Sequence, residues 1–341
     1  MKKKENKERF RILALSGGGY RGLYTAKVLA DIEEYLNDQS DSKDRYIYIG
    51  EYFDLVTGTS IGGILALAVA YRIKMKDVVK LFKEKGATIF CKQKRSFWKI
   101  VKAKYTQDGL TKVLKEWFGD NTIVDLKNNV VIPAIDYSQG RPVTFKTPHH
   151  PNFVRDWKLK IKDVALCTSA APTFFKRHSI DKNEYVDGGL FANNPALIGL
   201  HEAEFFFKKK IEDIYMLSIG TLSDQKNMNP STNKLGGFSD WGEGNILNAA
   251  KNIIDLTFSA QQQFMLQLVT HRMSDYPDHF FQIDEKLVNA SANYVALDAT
   301  DTHAQQVLES NGMQSAKKAL GIEEIRVFFD LPATSPIRFN R

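Results

Sequence analysis

The 341-residue chain has only two cysteines, Cys91 and Cys167, and neither belongs to a C-x-x-C pair or a Cys/His cluster. That excludes a disulfide framework and a zinc ribbon, and leaves reduced thiols among apolar or small neighbours. Long apolar runs are missing too. The longest, Ile61–Tyr71, falls well short of the ~20 residues that span a bilayer. The charged start MKKKENKERF is not followed by the apolar core of a signal peptide. The expected location is therefore the cytoplasm, with any membrane met from its inner face. No Pro/Gly/Ser-rich linker, repeat or low-complexity tract divides the chain, so one domain is expected. Charge of one sign is in only modest excess: 47 Lys and Arg against 40 Asp and Glu, net +7. This favours anionic partners without choosing among a phospholipid surface, a nucleotide and a nucleic acid.

What the chain does have is a strand, a glycine turn and a helix in succession, three times. Arg11–Leu15 reads as a strand buried on both faces. It runs into Ser16-Gly17-Gly18-Gly19-Tyr20-Arg21-Gly22 and a helix over Leu23–Leu36. Successive backbone N–H groups in such a turn can converge on one anion, as a phosphate loop or an oxyanion hole. Gly17, Gly19 and Gly22 fit G-x-G-x-x-G, but the acidic residue of a dinucleotide site is missing: Asp38, Asp41 and Asp44 fall in a polar loop. The second junction carries Tyr52–Thr57 into Gly58-Thr59-Ser60-Ile61-Gly62, a G-x-S-x-G turn before a helix over Ile61–Arg72. There the turn holds Ser60 in a strained conformation and stands its Oγ clear at a helix N-terminus. In the third, Glu184–Val186 delivers Asp187 into Gly188-Gly189, and a helix begins near Asn194-Pro195. Asn193-Asn194-Pro195 reads as a brace for the Asp187 loop, or as an ordinary turn and helix start.

A serine hydroxyl needs a base and oxyanion donors before it attacks anything. Histidine is the usual base, and the sequence has seven. None follows a strand as a catalytic loop residue would. Asp187 is better placed, and a carboxylate can take the serine proton itself where an apolar setting raises its basicity.

In this order, G-G-G-x-R-G at Gly17–Gly22, G-x-S-x-G at Gly58–Gly62 and D-G-G at Asp187–Gly189 closely resemble the patatin-like phospholipase family. The resemblance covers roughly Phe10–Leu217. It implies a single α/β domain, with a mostly parallel central sheet flanked by helices, over residues 9–331. A basic tail, 1–8, would precede it and an irregular tail, 332–341, would follow. Ser60 would be the nucleophile and Asp187 the general base. Gly17, Gly18 and Gly19 would form the oxyanion hole, with Arg21 fixing that loop, while Gly22, Gly58, Gly62, Gly188 and Gly189 complete the motifs. The implied reaction is hydrolysis of lipid acyl esters, of the phospholipase A type, through an acyl-enzyme without metal or cofactor. The part from Gly220 onward resembles, more diffusely, the bacterial patatin-like effectors of cyclic-nucleotide anti-phage systems. That implies a cyclic dinucleotide activator and a phospholipid membrane surface as partners, and no nucleic-acid polymer. The rivals are a Ser-His-Asp α/β-hydrolase and a nucleotide-binding module in which Ser60 is a turn residue.

Two further expectations concern surface and sheet. Phe90–Tyr105 is basic and aromatic, with Phe97, Val101 and Tyr105 on one helical face and Trp98 beside them. It reads as a membrane contact or lid, or as a helix docked on the core with a solvated lysine face. His279–Ile283 and Ile325–Asp330 read as the last two strands.

Overall fold

The computed structural model describes residues 9–40, 45–91, 103–222, 236–242, 246–286 and 295–339. At its centre Phe10–Leu15 forms β1 with all six residues buried, as expected of a parallel strand covered on both faces. The other strands are β2 (Leu55–Gly58), β3 (Asn129–Asp136), β4 (Arg141–Lys146), β5 (His178–Ile180), β6 (Asn183–Asp187), β7 (Ile214–Ile219) and β8 (Phe280–Ile283). They form one sheet in the order β5-β6-β3-β2-β1-β7-β8, with β4 also on β3. The run β3-β2-β1-β7-β8 is parallel. Strands β4, β5 and β6 pair antiparallel.

The helices are α1 (Gly22–Asp38), α2 (Ile61–Tyr71), α3 (Met75–Ile89), α4 (Asp108–Phe118), α5 (Ile161–Thr168), α6 (Gly189–Ala192), α7 (Ala196–Phe205), α8 (Phe238–Trp241), α9 (Ile246–Arg272), α10 (Thr302–Leu320) and α11 (Glu323–Arg326). On one face of the sheet α1, α2, α3 and α5 pack with α10 into the larger core cluster. On the other, Ala196, Leu200 and Ala203 of α7 meet Val269 of α9 and the outward side of β1 and β7. Among the described residues no helix is long and apolar enough to cross a membrane.

The segment Ile325–Asp330 is not a strand. It forms the end of α11 and a 3-10 turn over Val327–Phe329. Its buried residues are Ile325, Phe328 and Phe329, an i, i+3, i+4 spacing that turns one helical stripe inward. Phe328 packs there against the rings of Phe53, Tyr215 and Phe281. Beyond it, residues 332–339 run without helix or strand over the end of the sheet remote from Ser60. Ala333 N–H donates to Glu51 O at 2.7 Å, and the Arg338 guanidinium donates to Asn128 O at 2.7 Å.

Candidate active site

The sheet register brings two distant segments together. β4 holds one edge of β3 from Val131 to Asp136. β2 and β6 share the other edge, β2 over Asn129–Val131 and β6 over Ala134–Asp136. β2 runs parallel to β3 and β6 antiparallel, so the two strands point at each other. Between them lies Pro133, which has no N–H and fits where the ladder is interrupted. β2 ends at Gly58 and β6 at Asp187, so Ser60 and Asp187 meet over this gap.

Ser60 has φ 55° and ψ −127°, a strained conformation for a residue with a Cβ. Its neighbours hold it there. Ser60 N–H donates to Thr168 Oγ1 at 3.0 Å, and Thr168 Oγ1 donates to Pro133 O at 2.7 Å. Thr59 Oγ1 donates to Ala192 O at 2.6 Å. Ser60 Oγ donates to Asp187 Oδ2 at 2.6 Å across 127 residues of sequence. The other carboxylate oxygen, Oδ1, accepts from Gly189 N–H at 2.7 Å. Asp187 is fully buried, and burial raises its pKa from 3.8 to about 7 against the lowering effect of those two hydrogen bonds. All seven histidines lie in described segments, and none hydrogen-bonds Ser60 or Asp187. The buried His149 is engaged instead with Thr147 and Glu202.

The glycine loop lies against the serine. A Cβ on Gly17 would stand 3.2 Å from Ser60 Cβ and 2.3 Å from Asn193 Oδ1, so no larger residue fits. One expectation needs correction. Gly17 N–H donates to Asn193 O at 2.9 Å and is not available to an oxyanion. Among the described residues the Gly18 and Gly19 N–H groups donate no hydrogen bond. Of the three glycine-loop amides, these two therefore meet the requirement that an oxyanion donor be unengaged. Gly19 takes φ +59°, and a Cβ there would overlap Leu297 O at 2.2 Å. The Arg21 guanidinium reaches Leu222 O at 3.4 Å and so ties the loop to the chain beyond β7. Gly58, Gly62 and Gly188 each face backbone atoms at 2.1–2.4 Å from a built Cβ, so close packing of strand, turn and helix requires them. Gly22 meets the Ile61 side chain in the same way.

Ser60 and Gly19 open on an apolar pocket whose walls include Phe82, Leu114, Phe174 and Phe258, with a cavity volume of about 70 Å³. Tyr105 is behind this wall and not on the surface. It is 1% exposed, packs on Phe90, Phe174 and Phe175, and donates its hydroxyl hydrogen to Asp298. The surface-contact expectation for Tyr105 is therefore wrong, because its ring completes an aromatic cluster and its hydroxyl is held by the half-buried Asp298. Phe97 and Trp98 lie outside the described residues.

A family model described as patatin-like phospholipase matches residues 13–200, which contain Ser60, Asp187 and the glycine loop. The chain belongs to the patatin-like phospholipase family. Membership makes it a lipid ester hydrolase. A cGAMP-activated phospholipase of Pseudomonas aeruginosa (strain BWHPSA011 / Pa011) is 38% identical over 338 residues, covering 97% of this chain and 95% of that protein. Another of that description, from Vibrio cholerae, is 35% identical over 352 residues, with 96% of each covered. Patatin-like protein 4 of Arabidopsis thaliana is 26% identical over 359 residues, covering 96% of this chain and 87% of that protein. The similarity to the two bacterial phospholipases thus continues past the family match through the C-terminal third.

Sequence reasoning missed Thr168, Leu297 and Phe258. Thr168 ends an ordinary amphipathic helix, and Leu297 and Phe258 reach the site from far along the chain. No local pattern marks any of them.

Proposed function

We propose that this patatin-like phospholipase cleaves fatty-acyl esters of membrane phospholipids through a Ser60–Asp187 dyad and an acyl-enzyme. The observation that carries the reading is the 2.6 Å Ser60 Oγ to Asp187 Oδ2 hydrogen bond inside a buried, apolar site. As Oγ attacks the ester carbonyl carbon, its proton passes to Asp187. The carbonyl oxygen becomes an oxyanion and takes the Gly18 and Gly19 N–H groups. When the tetrahedral species collapses, the lysolipid alcohol leaves with the proton from Asp187. A water then gives its proton to Asp187 and attacks the acyl carbon. Collapse returns the proton to Ser60 and releases the fatty acid. Desolvation helps, because a carboxylate stripped of water is a stronger base.

The test is fatty-acid release by variants. Ser60→Ala and Asp187→Asn should each lose activity by at least about 10³-fold, as expected when a nucleophile or its base is removed. Each single His→Ala variant should stay within a few fold of wild type. A histidine variant as inactive as Ser60→Ala would replace the dyad with a triad.

The same reading extends to regulation. Both bacterial relatives are described as cGAMP-activated. We infer that a cyclic dinucleotide also switches this chain on, in defence against phage, with the protein acting at the cytoplasmic face of the membrane. Residues 9–331 would act as one catalytic unit, with 220–331 as its regulatory part. Leu297 and Phe258 of that part line the pocket beside Ser60, which gives an activator bound there a direct route to the site. Phospholipid liposomes with and without cGAMP test this directly: release with cGAMP alone supports the switch, and equal release under both conditions rejects it.

A further inference from the structure

The three motifs meet at one dipeptide that belongs to none of them. Ala192 O accepts from Thr59 Oγ1 at 2.6 Å, which holds the serine turn. Asn193 O accepts from Gly17 N–H at 2.9 Å, which holds the glycine loop. The dipeptide itself closes the short helix α6 that begins at Gly189, beside Asp187.

The Asn193 side chain carries a second set of contacts. It is 2% exposed. Its Nδ2 donates to Gln262 Oε1 at 3.0 Å, and Gln262 Nε2 donates to Asp284 Oδ2 at 3.3 Å. This chain of bonds has a fixed sense. A carboxylate only accepts, so Gln262 presents its amino group to Asp284 and its oxygen to Asn193. Asn193 must then turn its amino group to Gln262 and its oxygen the other way. That oxygen, Oδ1, is buried and accepts no hydrogen bond from a described residue. It stands 2.3 Å from a Cβ built on Gly17 and 3.1 Å from one built on Gly189, so it is wedged between the glycine loop and the Asp187 loop. The Gly189 position is also 3.1 Å from Asp187 Oδ1 and from Phe258 Cζ. A buried acceptor without a described donor calls for a local reason, and its place between the two loops supplies one.

We propose that Asn193 is a positioning residue through which α9 sets the spacing of the glycine loop and the Asp187 loop around Ser60. The proposal rests on the hydrolase reading above and adds a route of control to it. Gln262 and Phe258 lie one helical turn apart on α9, one bonded to Asn193 and the other in the pocket wall. A shift of α9 therefore moves the acyl pocket and the oxyanion loop together. Displacements of about 1 Å in such a constellation cost about 10²-fold in rate.

A double-mutant cycle on a soluble ester tests this, with Asn193→Ala, Gln262→Leu and the double variant. Each single change should lower kcat about tenfold or more, with KM within about twofold, the usual size of losing a group that orients a reacting side chain. The double variant should fall no further than Asn193→Ala, because Gln262 acts through Asn193. Asn193→Asp keeps the shape and adds a negative charge near Asp187, so the acid limb of its pH profile should move to higher pH. It also serves if Asn193→Ala does not fold. Losses that multiply in the double variant, or a Gln262→Leu protein with wild-type kcat and only a lower melting temperature, would overturn the proposal. Labelling by a fluorophosphonate separates the two levels. Wild type that neither labels at Ser60 nor hydrolyses the ester sinks the hydrolase reading and this one with it. Wild type that does both, with independent losses, sinks this one alone.

Discussion

At the residue scale, burial of Asp187 makes two measurable predictions, of opposite sign in pH. Its pKa is raised to about 7, first by desolvation, so below that pH the proposed base carries a proton. Hydrolysis of a soluble ester should rise with pH through a single limb centred near 7, and replacing any histidine should not move it. The same shift acts on stability. The folded state holds this proton up to about 7, whereas an unfolded carboxylate releases it near 3.8. Between these values the folded state binds more protons, so the contribution of Asp187 to stability falls as pH rises. Asp187→Asn should therefore melt above wild type by a margin that grows from pH 5 to pH 8; a margin that shrinks over that range would contradict the burial account. Thr168 makes a separate prediction. It accepts from Ser60 N–H and donates to Pro133 O. Thr168→Val keeps the shape but leaves both backbone groups unmet, at a cost of about 1–3 kcal/mol. Denaturant unfolding should register that loss, and kcat should fall with it because the strained turn at Ser60 loses a support.

At the scale of elements, legibility divides by how local the cause is. The three strand–turn–helix junctions were readable because each lies within a short stretch whose glycines and apolar runs state their own geometry. The helix over Thr302–Leu320 likewise has a local cause at its start, where Asp301 Oδ1 accepts from Ala304 N–H at 3.0 Å. What could not be read was pairing. Nothing local says that β6 runs antiparallel into the same edge of β3 that β2 occupies, yet this alone brings Ser60 and Asp187 together. Ile325–Asp330 and Tyr105 were misread for a related reason: an aromatic-rich stretch looks the same whether it pairs, coils or faces solvent, and its partners are remote. Glycines show the same division, and here a prediction discriminates. Gly19 and Gly140 both take positive φ, at +59° and +63°. Gly140 has nothing within 4 Å of a built Cβ, whereas Gly19 would strike Leu297 O at 2.2 Å. Gly140→Ala should cost about 1–2 kcal/mol of stability, the ordinary left-handed penalty, and leave activity unchanged. Gly19→Ala should cut kcat tenfold or more, since the proposed mechanism gives the amide it displaces to the oxyanion. Steady-state rates beside melting curves for both variants would expose any reversal of that order.

At the scale of the whole molecule, the sheet joins parts that the family match separates. The match ends at residue 200, yet β7 lies beside β1 and β8 beside β7, and α9 and α10 close the two faces. The C-terminal third also enters the site itself. Leu297 O accepts from Tyr20 N–H at 2.7 Å and covers Gly19, and Phe258 forms part of the pocket wall. Part of the cover over the glycine loop and the pocket is thus supplied by the segment that lies outside the shared motifs. The pocket under these residues has a volume of about 70 Å³, small beside the roughly 300–1,000 Å³ of ordinary ligand sites. Substrate length then becomes the reading of the cover's position. Without an activator, the protein should hydrolyse short-chain soluble esters and leave long-chain phospholipid liposomes nearly intact. With cGAMP, the long-chain rate should rise by a much larger factor than the short-chain rate, because only the long chain needs the cover displaced. Ser60→Ala should be silent on both substrates. A uniform increase on short and long chains would mean that the activator tunes the dyad itself, and rapid long-chain hydrolysis without activator would mean that the covered pocket is not the resting state.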